Sequence, residues 1–156
     1  MLGVSTTGNA TLIAYDDKPI LATDPWFGDE NPAYFGSWGL SHRIPPDCKN
    51  DILNAKYIWF SHGHPDHLNS DSLQQIRDRH ILLGDHVGGR IAHDLRAQGF
   101  EVSILPDRQW VEPFTTGASV LHLDHDPGQH PPGRRQQAAI RQSQRRRQPR
   151  LHDADP

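Results

Sequence analysis

The sequence predicts an α/β fold in which a sheet carries helices over one face. Two short apolar runs separated by turn residues open the chain, a fully apolar run follows at 57–60, and from there strand-like runs alternate with short helical patterns. At 156 residues and 17.6 kDa the length suits a single domain.

Residues 10–15 and 19–23 are apolar runs flanking Asp16-Asp17-Lys18, which reads as a β-hairpin. From Asp24-Pro25-Trp26-Phe27 to Pro46 the chain is rich in Gly, Pro and aromatics without periodicity, so a long surface loop is expected. Tyr57-Ile58-Trp59-Phe60 has the composition of a strand buried on both faces. Asn69 and the Ser/Asp residues after it suit a helix N-cap, and Leu73 and Ile76 extend a short helix to about Arg79. His80 to Leu83 is the next strand. Ile91 and Leu95 lie four apart, with Gly99 placed to end a helix over roughly 90–98. Strands are expected at 100–105 and 118–123.

Composition narrows the function classes. Cys48 is the single cysteine, which excludes disulfides within the chain, Cys-rich zinc ribbons and Cys-ligated iron–sulfur clusters. Histidine, the commonest metal ligand, occurs 11 times. The mean hydropathy is −0.72, no window approaches a membrane span, and Met1 to Gly8 lacks the basic and apolar regions of a secretory signal, so a soluble cytoplasmic protein is expected. The net charge of −3 divides unevenly: residues 1–126 carry 9 Lys+Arg against 17 Asp+Glu, and residues 127–156 carry 7 Arg against 2 Asp. The second segment holds no aromatic and few apolar residues, so two parts are expected, a folded 1–126 and an Arg/Gln/Pro-rich tail at 127–156 that is disordered or frameshifted.

Ser61-His62-Gly63-His64-Pro65-Asp66-His67-Leu68 places three imidazoles and a carboxylate within six residues behind a buried strand. In a chain still extended, residues two apart point the same way, so His62 and His64 can face one ion. Pro65 stiffens the turn that brings Asp66 and His67 toward a second position. Nitrogen and oxygen donors without sulfur suit Zn²⁺, with Mn or Fe as alternatives, and one or two ions are expected. A pair of ions about 3.5–4 Å apart can lower the pKa of a shared water toward ~7 and direct hydroxide at an ester, lactone or phosphoester.

This segment resembles the signature of the metallo-β-lactamase fold superfamily. The Asp-Pro-Trp loop, Asn31-Pro-Ala-Tyr-Phe-Gly-Ser-Trp-Gly-Leu and Ala55-Lys-Tyr-Ile-Trp-Phe-Ser-His are most similar to the branch containing L-ascorbate-6-phosphate lactonase and the hydrolase-like domain of CMP-N-acetylneuraminate hydroxylase. The resemblance implies an αββα sandwich, represented by roughly its first β-α half and so truncated. It further implies that His62 and His64 bind one metal, that Asp66 and His67 bind the second, and that Asp66 orients the nucleophilic water and acts as general base or acid. Asp24 matches the acidic residue that supports the metal-binding loop from behind the ligands. His122 and His125 are candidates for a third histidine, of which His125 is preferred, and Asp153 is a weaker candidate for a bridging carboxylate.

The implied activity is that of a metal-dependent hydrolase acting on a small molecule, with a phosphorylated or nucleotide-linked sugar acid favoured by the branch. Two other readings compete: an inactive remnant of such a hydrolase, and a nucleic-acid-binding or nuclease-like protein using Arg134-Arg135 and Arg145-Arg146-Arg147. A half-fold is also expected to leave one sheet face bare and open to self-association. Trp26, Tyr34, Phe35 and Trp38 are expected to cover the sheet edge and wall the substrate pocket, while His42, His80, His93 and His130 are expected to be solvated or locally bonded. His86 stands apart, because its loop should open on the metal-loop edge.

Overall fold

The structure is a computed structural model that describes residues 2–27, 32–85, 89–111, 118–123 and 137–142. Six strands form one sheet in sequence order: β1 (Leu2–Gly8), β2 (Thr11–Asp16), β3 (Lys18–Thr23), β4 (Tyr57–Phe60), β5 (His80–Gly84) and β6 (Val102–Leu105). β1 to β3 pair antiparallel and β3 to β6 pair parallel. The parallel links pass through α1 (Pro46–Asn54), α2 (Ser70–Gln75) and α3 (Arg90–Ala97). A second sheet contains β7 (Trp110–Val111), β8 (Ala118–Leu123) and β9 (Gln137–Gln142).

The expected hairpin is β2–β3, turned at Asp17, whose φ of 59° is a left-handed conformation that Asp tolerates better than most residues. β1 is an addition to the expected elements, joined to β2 through Gly8 and Asn9, both at positive φ. α1 is also an addition, and it lies just beyond the expected loop. Its cues are Pro46 in the first turn and Asp47 near the helix N-terminus, while Ile52 is its single buried residue.

α2 starts where Asn69 caps it, the side chain accepting from the Ser72 N–H at 3.0 Å, and it ends four residues earlier than expected. α3 closes in a Schellman arrangement. The Phe100 N–H reaches the Leu95 carbonyl at 3.1 Å, the Gly99 N–H reaches that of Arg96 at 2.9 Å, and Gly99 takes φ +92°. Phe100 and Leu95 then both pack in the core.

Among the described residues the helices cover one face, as expected. Ile52, Leu73, Ile76, Ala92 and Leu95 pack there on Ile13, Ala22, Ile58, Phe60, Ile81 and Leu83. β4 is buried on both sides, with Tyr57 and Trp59 on the opposite face beside Leu21, Leu82 and Leu105. That opposite face departs from expectation. It is not bare, because Leu21 and Leu82 are 0% exposed, Tyr57 is 4% exposed, and Val111 of β7 packs against the group. Exposed apolar side chains on this face sit on β1 and β2, at Leu2, Val4 and Leu12.

β8 coincides with the expected strand at 118–123. β9 falls inside the 127–156 segment, where Ala138, Ala139 and Ile140, three of its few apolar residues, pair with His122, Leu121 and Val120. The rest of that segment lies outside the described residues. No helix among the described residues is long and apolar enough to cross a membrane.

Candidate metal centre

Parallel pairing of β3 with β4, in register at Thr23 and Trp59, brings two loops off the same edge of the sheet. Asp24 leaves β3 with φ 40°, and its N–H donates to the Trp59 carbonyl at 2.8 Å, tying it to the end of β4. Its side chain is buried, 3% exposed, and both oxygens are used. Oδ1 accepts the Ser61 N–H at 2.7 Å, and Oδ2 lies 3.1 Å from His67 Nδ1. Asp24 thus grips the histidine loop at both ends.

The loop between those ends is a tight turn. The N–H groups of His67 and Leu68 both donate to the His64 carbonyl, at 2.9 and 2.8 Å, with Pro65 placed second in the turn, where its fixed φ favours it. Gly63 has a packing reason as well, since a Cβ there would stand 3.0 Å from Ile91 Cδ1 of α3.

The three histidine rings lie close together. His62 Nε2 and His64 Nδ1 face each other at 2.8 Å, and the His62 ring centroid lies 4.3 Å from that of His64 and 4.0 Å from that of His67. Ser61 Oγ stands 2.7 Å from His62 Nδ1 and 3.2 Å from His67 Nδ1. His67 Nε2 is 3.6 Å from Asp66 Oδ2, too long for a hydrogen bond. Asp66 Oδ1 instead accepts the phenol of Tyr34 at 3.0 Å.

These contacts set the proton positions. A carboxylate beside His67 Nδ1 keeps a proton there and leaves the Nε2 lone pair outward, which is how metal-binding histidines are commonly oriented. Burial alone disfavours the His67 cation, yet the hydrogen bond and charge of Asp24, with the charge of Asp66, outweigh it and raise the His67 pKa. His62 goes the other way: burial first, then the charges of His67 and His64, lower its pKa and favour the neutral form that binds metal.

The donor set fits a divalent cation in its chemistry. Two imidazole nitrogens sharing a tetrahedral Zn²⁺ stand about 3.4 Å apart, so the 2.8 Å between His62 and His64 needs only a small opening. Among the described residues no three His, Cys, Asp or Glu side chains form a group that could hold a metal ion. His125 and Asp153 lie outside the described residues, as do His86 and His130, and of His122 only its place on β8 opposite Ala138 is described.

Among the described residues the remaining histidines bond locally, His42 to the Thr7 carbonyl, His80 to Ser103 and Glu101, and His93 to Asp94. Of the four loop aromatics, Trp26 is buried, whereas Phe35 and Trp38 are exposed. Tyr34 and Phe35 wall a cavity of about 360 Å³ with Pro32, Gly63, Pro65 and Leu68. Nothing in the residue spacing announces the Tyr34–Asp66 bond, which spans 32 positions.

Comparison with known proteins yields no matching family model. The cytidine monophosphate-N-acetylneuraminic acid hydroxylase of Asterias rubens is 36% identical over 69 residues, 44% of this chain and 10% of that protein. Igni18, a metallo hydrolase from Ignicoccus hospitalis, superposes with TM-score 0.59 at 17% identity, covering 90% of this chain and 56% of its own. An isothiocyanate hydrolase from Delia radicum gut bacteria superposes with TM-score 0.56 at 26% identity, covering 78% and 47%. The chain therefore spans about a tenth of the curated relative and about half of each solved structure. With the histidine loop, the sheet order and these likenesses together, the chain has the metallo-β-lactamase-like fold in about half its extent, and 44% of it is similar in sequence to a CMP-N-acetylneuraminic acid hydroxylase.

Proposed function

We propose that this chain carries the water-activating loop of a metal-dependent hydrolase acting on an ester, lactone or phosphoester. The observation that carries the reading is the approach of His62 Nε2 to within 2.8 Å of His64 Nδ1, in a loop clamped by buried Asp24 at Ser61 and His67. His62 and His64 would hold one cation, and Asp66 and His67 a second. Zn²⁺ suits the donors best, with Mn or Fe as alternatives. Such an ion, when bound, supplies a water acidic enough to be hydroxide near neutrality.

The chain's own residues do the rest. In the neutral ring Asp24 holds the His67 proton on Nδ1 and leaves Nε2 to a metal, and Ser61 anchors the far side of His62. Asp66 would also orient the attacking water and act as general base or acid, with Tyr34 engaging its Oδ1. His125 is the proposed third donor to the first site and Asp153 the bridging carboxylate. The substrate is a small molecule; a phosphorylated or nucleotide-linked sugar acid follows from the branch. A cytoplasmic setting agrees with Cys48 being a free thiol.

Elemental analysis of the purified chain tests the reading. One or two equivalents of metal are expected, with most lost in His62→Ala or His64→Ala. Undiminished metal in both variants refutes the assignment. Esterase, lactonase and phosphodiesterase assays on the same samples separate an enzyme from a metal-binding remnant that turns nothing over.

A further inference from the structure

Residues 33–38 form a small closed structure whose backbone is under strain. Tyr34, Phe35 and Gly36 take φ of 52°, 56° and 95°, three left-handed residues in a row, two of them carrying side chains. Each of the two with a side chain costs about 1–2 kcal/mol, and strain of this kind persists only where the surroundings impose it. Here they do. The Ala33 N–H donates to the Trp38 carbonyl at 2.8 Å, the Trp38 N–H returns to Ala33 at 3.2 Å, and Ser37 Oγ donates to the Tyr34 carbonyl at 2.8 Å.

The strained turn does not serve to bury Phe35, whose side chain is fully exposed. Its outcome is the placement of Tyr34. The ring stands edge-on to Trp38 at 5.0 Å and to His64 at 6.3 Å between centroids, and the phenol donates to Asp66 Oδ1 at 3.0 Å. An O–H bound to a carboxylate is among the stronger hydrogen bonds, and it fixes the rotation of the Asp66 carboxyl.

We propose that Tyr34 is a positioning residue, whose phenol holds Oδ1 of Asp66 so that Oδ2 is presented, beside His67 Nε2, to a divalent cation. The inference rests on the reading of Asp66 and His67 as a metal-binding pair and deepens it. Partners that hold a ligand in this way commonly account for about 10–100-fold in metal affinity. Tyr34 adds no charge and no donor to the ion. Its effect passes entirely through Asp66.

Cobalt(II) titration of the full chain, followed by visible absorption and by metal content after gel filtration, tests this. Tyr34→Phe, which keeps the ring and its packing, should take up the His62/His64 equivalent as the unsubstituted chain does. The other equivalent should bind at least about tenfold more weakly, with an altered cobalt spectrum. In an Asp66→Ala background, Tyr34→Phe should change nothing further. A Tyr34→Phe titration and spectrum matching the unsubstituted chain overturn the proposal alone, as does an equal loss in the Asp66→Ala background. A loss of both equivalents with collapse of the near-ultraviolet circular dichroism also overturns it, by making Tyr34 a structural residue. Absence of cobalt uptake by the unsubstituted chain overturns the hydrolase reading and this inference with it.

Discussion

Replacing Asp24 by Asn changes one oxygen to an NH₂ group at the point where the histidine loop is clamped. The Asn carbonyl oxygen can still accept the Ser61 N–H now bound at 2.7 Å. The new amide faces His67 Nδ1, 3.1 Å away in the native chain, and two donors cannot bond each other. His67 must then carry its proton on Nε2, the nitrogen assigned to the metal. Exchanging a charge-assisted bond for a neutral one costs about 1.5 kcal/mol, which for a chain of this size lowers Tm by about 3–6 °C.

The pH dependence has a definite sign. Asp24 raises the folded-state pKa of His67 above its ordinary 6.5, so the stabilisation from the charged pair is complete below that value and is lost as pH rises through the raised one. In metal-free protein the Tm gap between native chain and Asp24→Asn should therefore be wider at about pH 5.5 than at about pH 8. Asp24→Ala leaves the buried Ser61 N–H without its acceptor and should lose about 1–3 kcal/mol more. Thermal melts over that pH range, with ¹⁵N shifts of the His67 ring, are the assay. An Asn variant that melts with the native chain and keeps its proton on Nδ1 would refute the clamp.

Three further outcomes are expected. Ile81→Ala, at a position 0% exposed between helices and sheet, should cost about 2–5 kcal/mol in chemical denaturation, and a loss below about 1 kcal/mol would mean the core collapses around the gap. Gly8→Ala forces a side chain onto φ +99° and sets its Cβ 2.5 Å from His42 Cε1. It should cost about 1–3 kcal/mol, of which His42→Ala in the same chain restores part; full restoration would show that backbone strain contributes nothing. Tyr15→Phe bears on alkaline stability. Burial, aided by the Asp51 carboxylate that accepts its phenol at 2.8 Å, raises the Tyr15 pKa above 10.0. The unfolded chain therefore ionises first as pH climbs past 10, and stability falls there; the Phe variant should show a shallower decline in Tm between about pH 9 and 11.

What the sequence makes legible follows from burial. β4 could be read because all four of its residues are apolar and all four are buried, and α3 because Leu95, Gly99 and Phe100 form a recognisable helix end. α1 could not, since it buries only Ile52 and so has no apolar stripe. β1 was equally silent: Leu2 and Val4 are exposed on an edge strand, and mixed polar residues there follow no inside-outside alternation. At the site, the density of donors in 62–67 is a local signal, whereas the contacts that orient them are not local. Asp24 reaches Ser61 across 37 residues and Tyr34 reaches Asp66 across 32, distances that only the parallel pairing of β3 with β4 and the 33–38 turn convert into proximity.

The all-parallel run from β3 to β6 delivers the carboxyl ends of four strands to a single rim. Substitutions are thereby sorted by geography. Along that rim, at Tyr34 or in the stretch from His62 to His67, they retune what the molecule captures while the scaffold stands. In the helical layer beneath they change how much of the molecule survives to capture anything. Loops on the rim can diverge into new specificities without renegotiating the architecture that bears them.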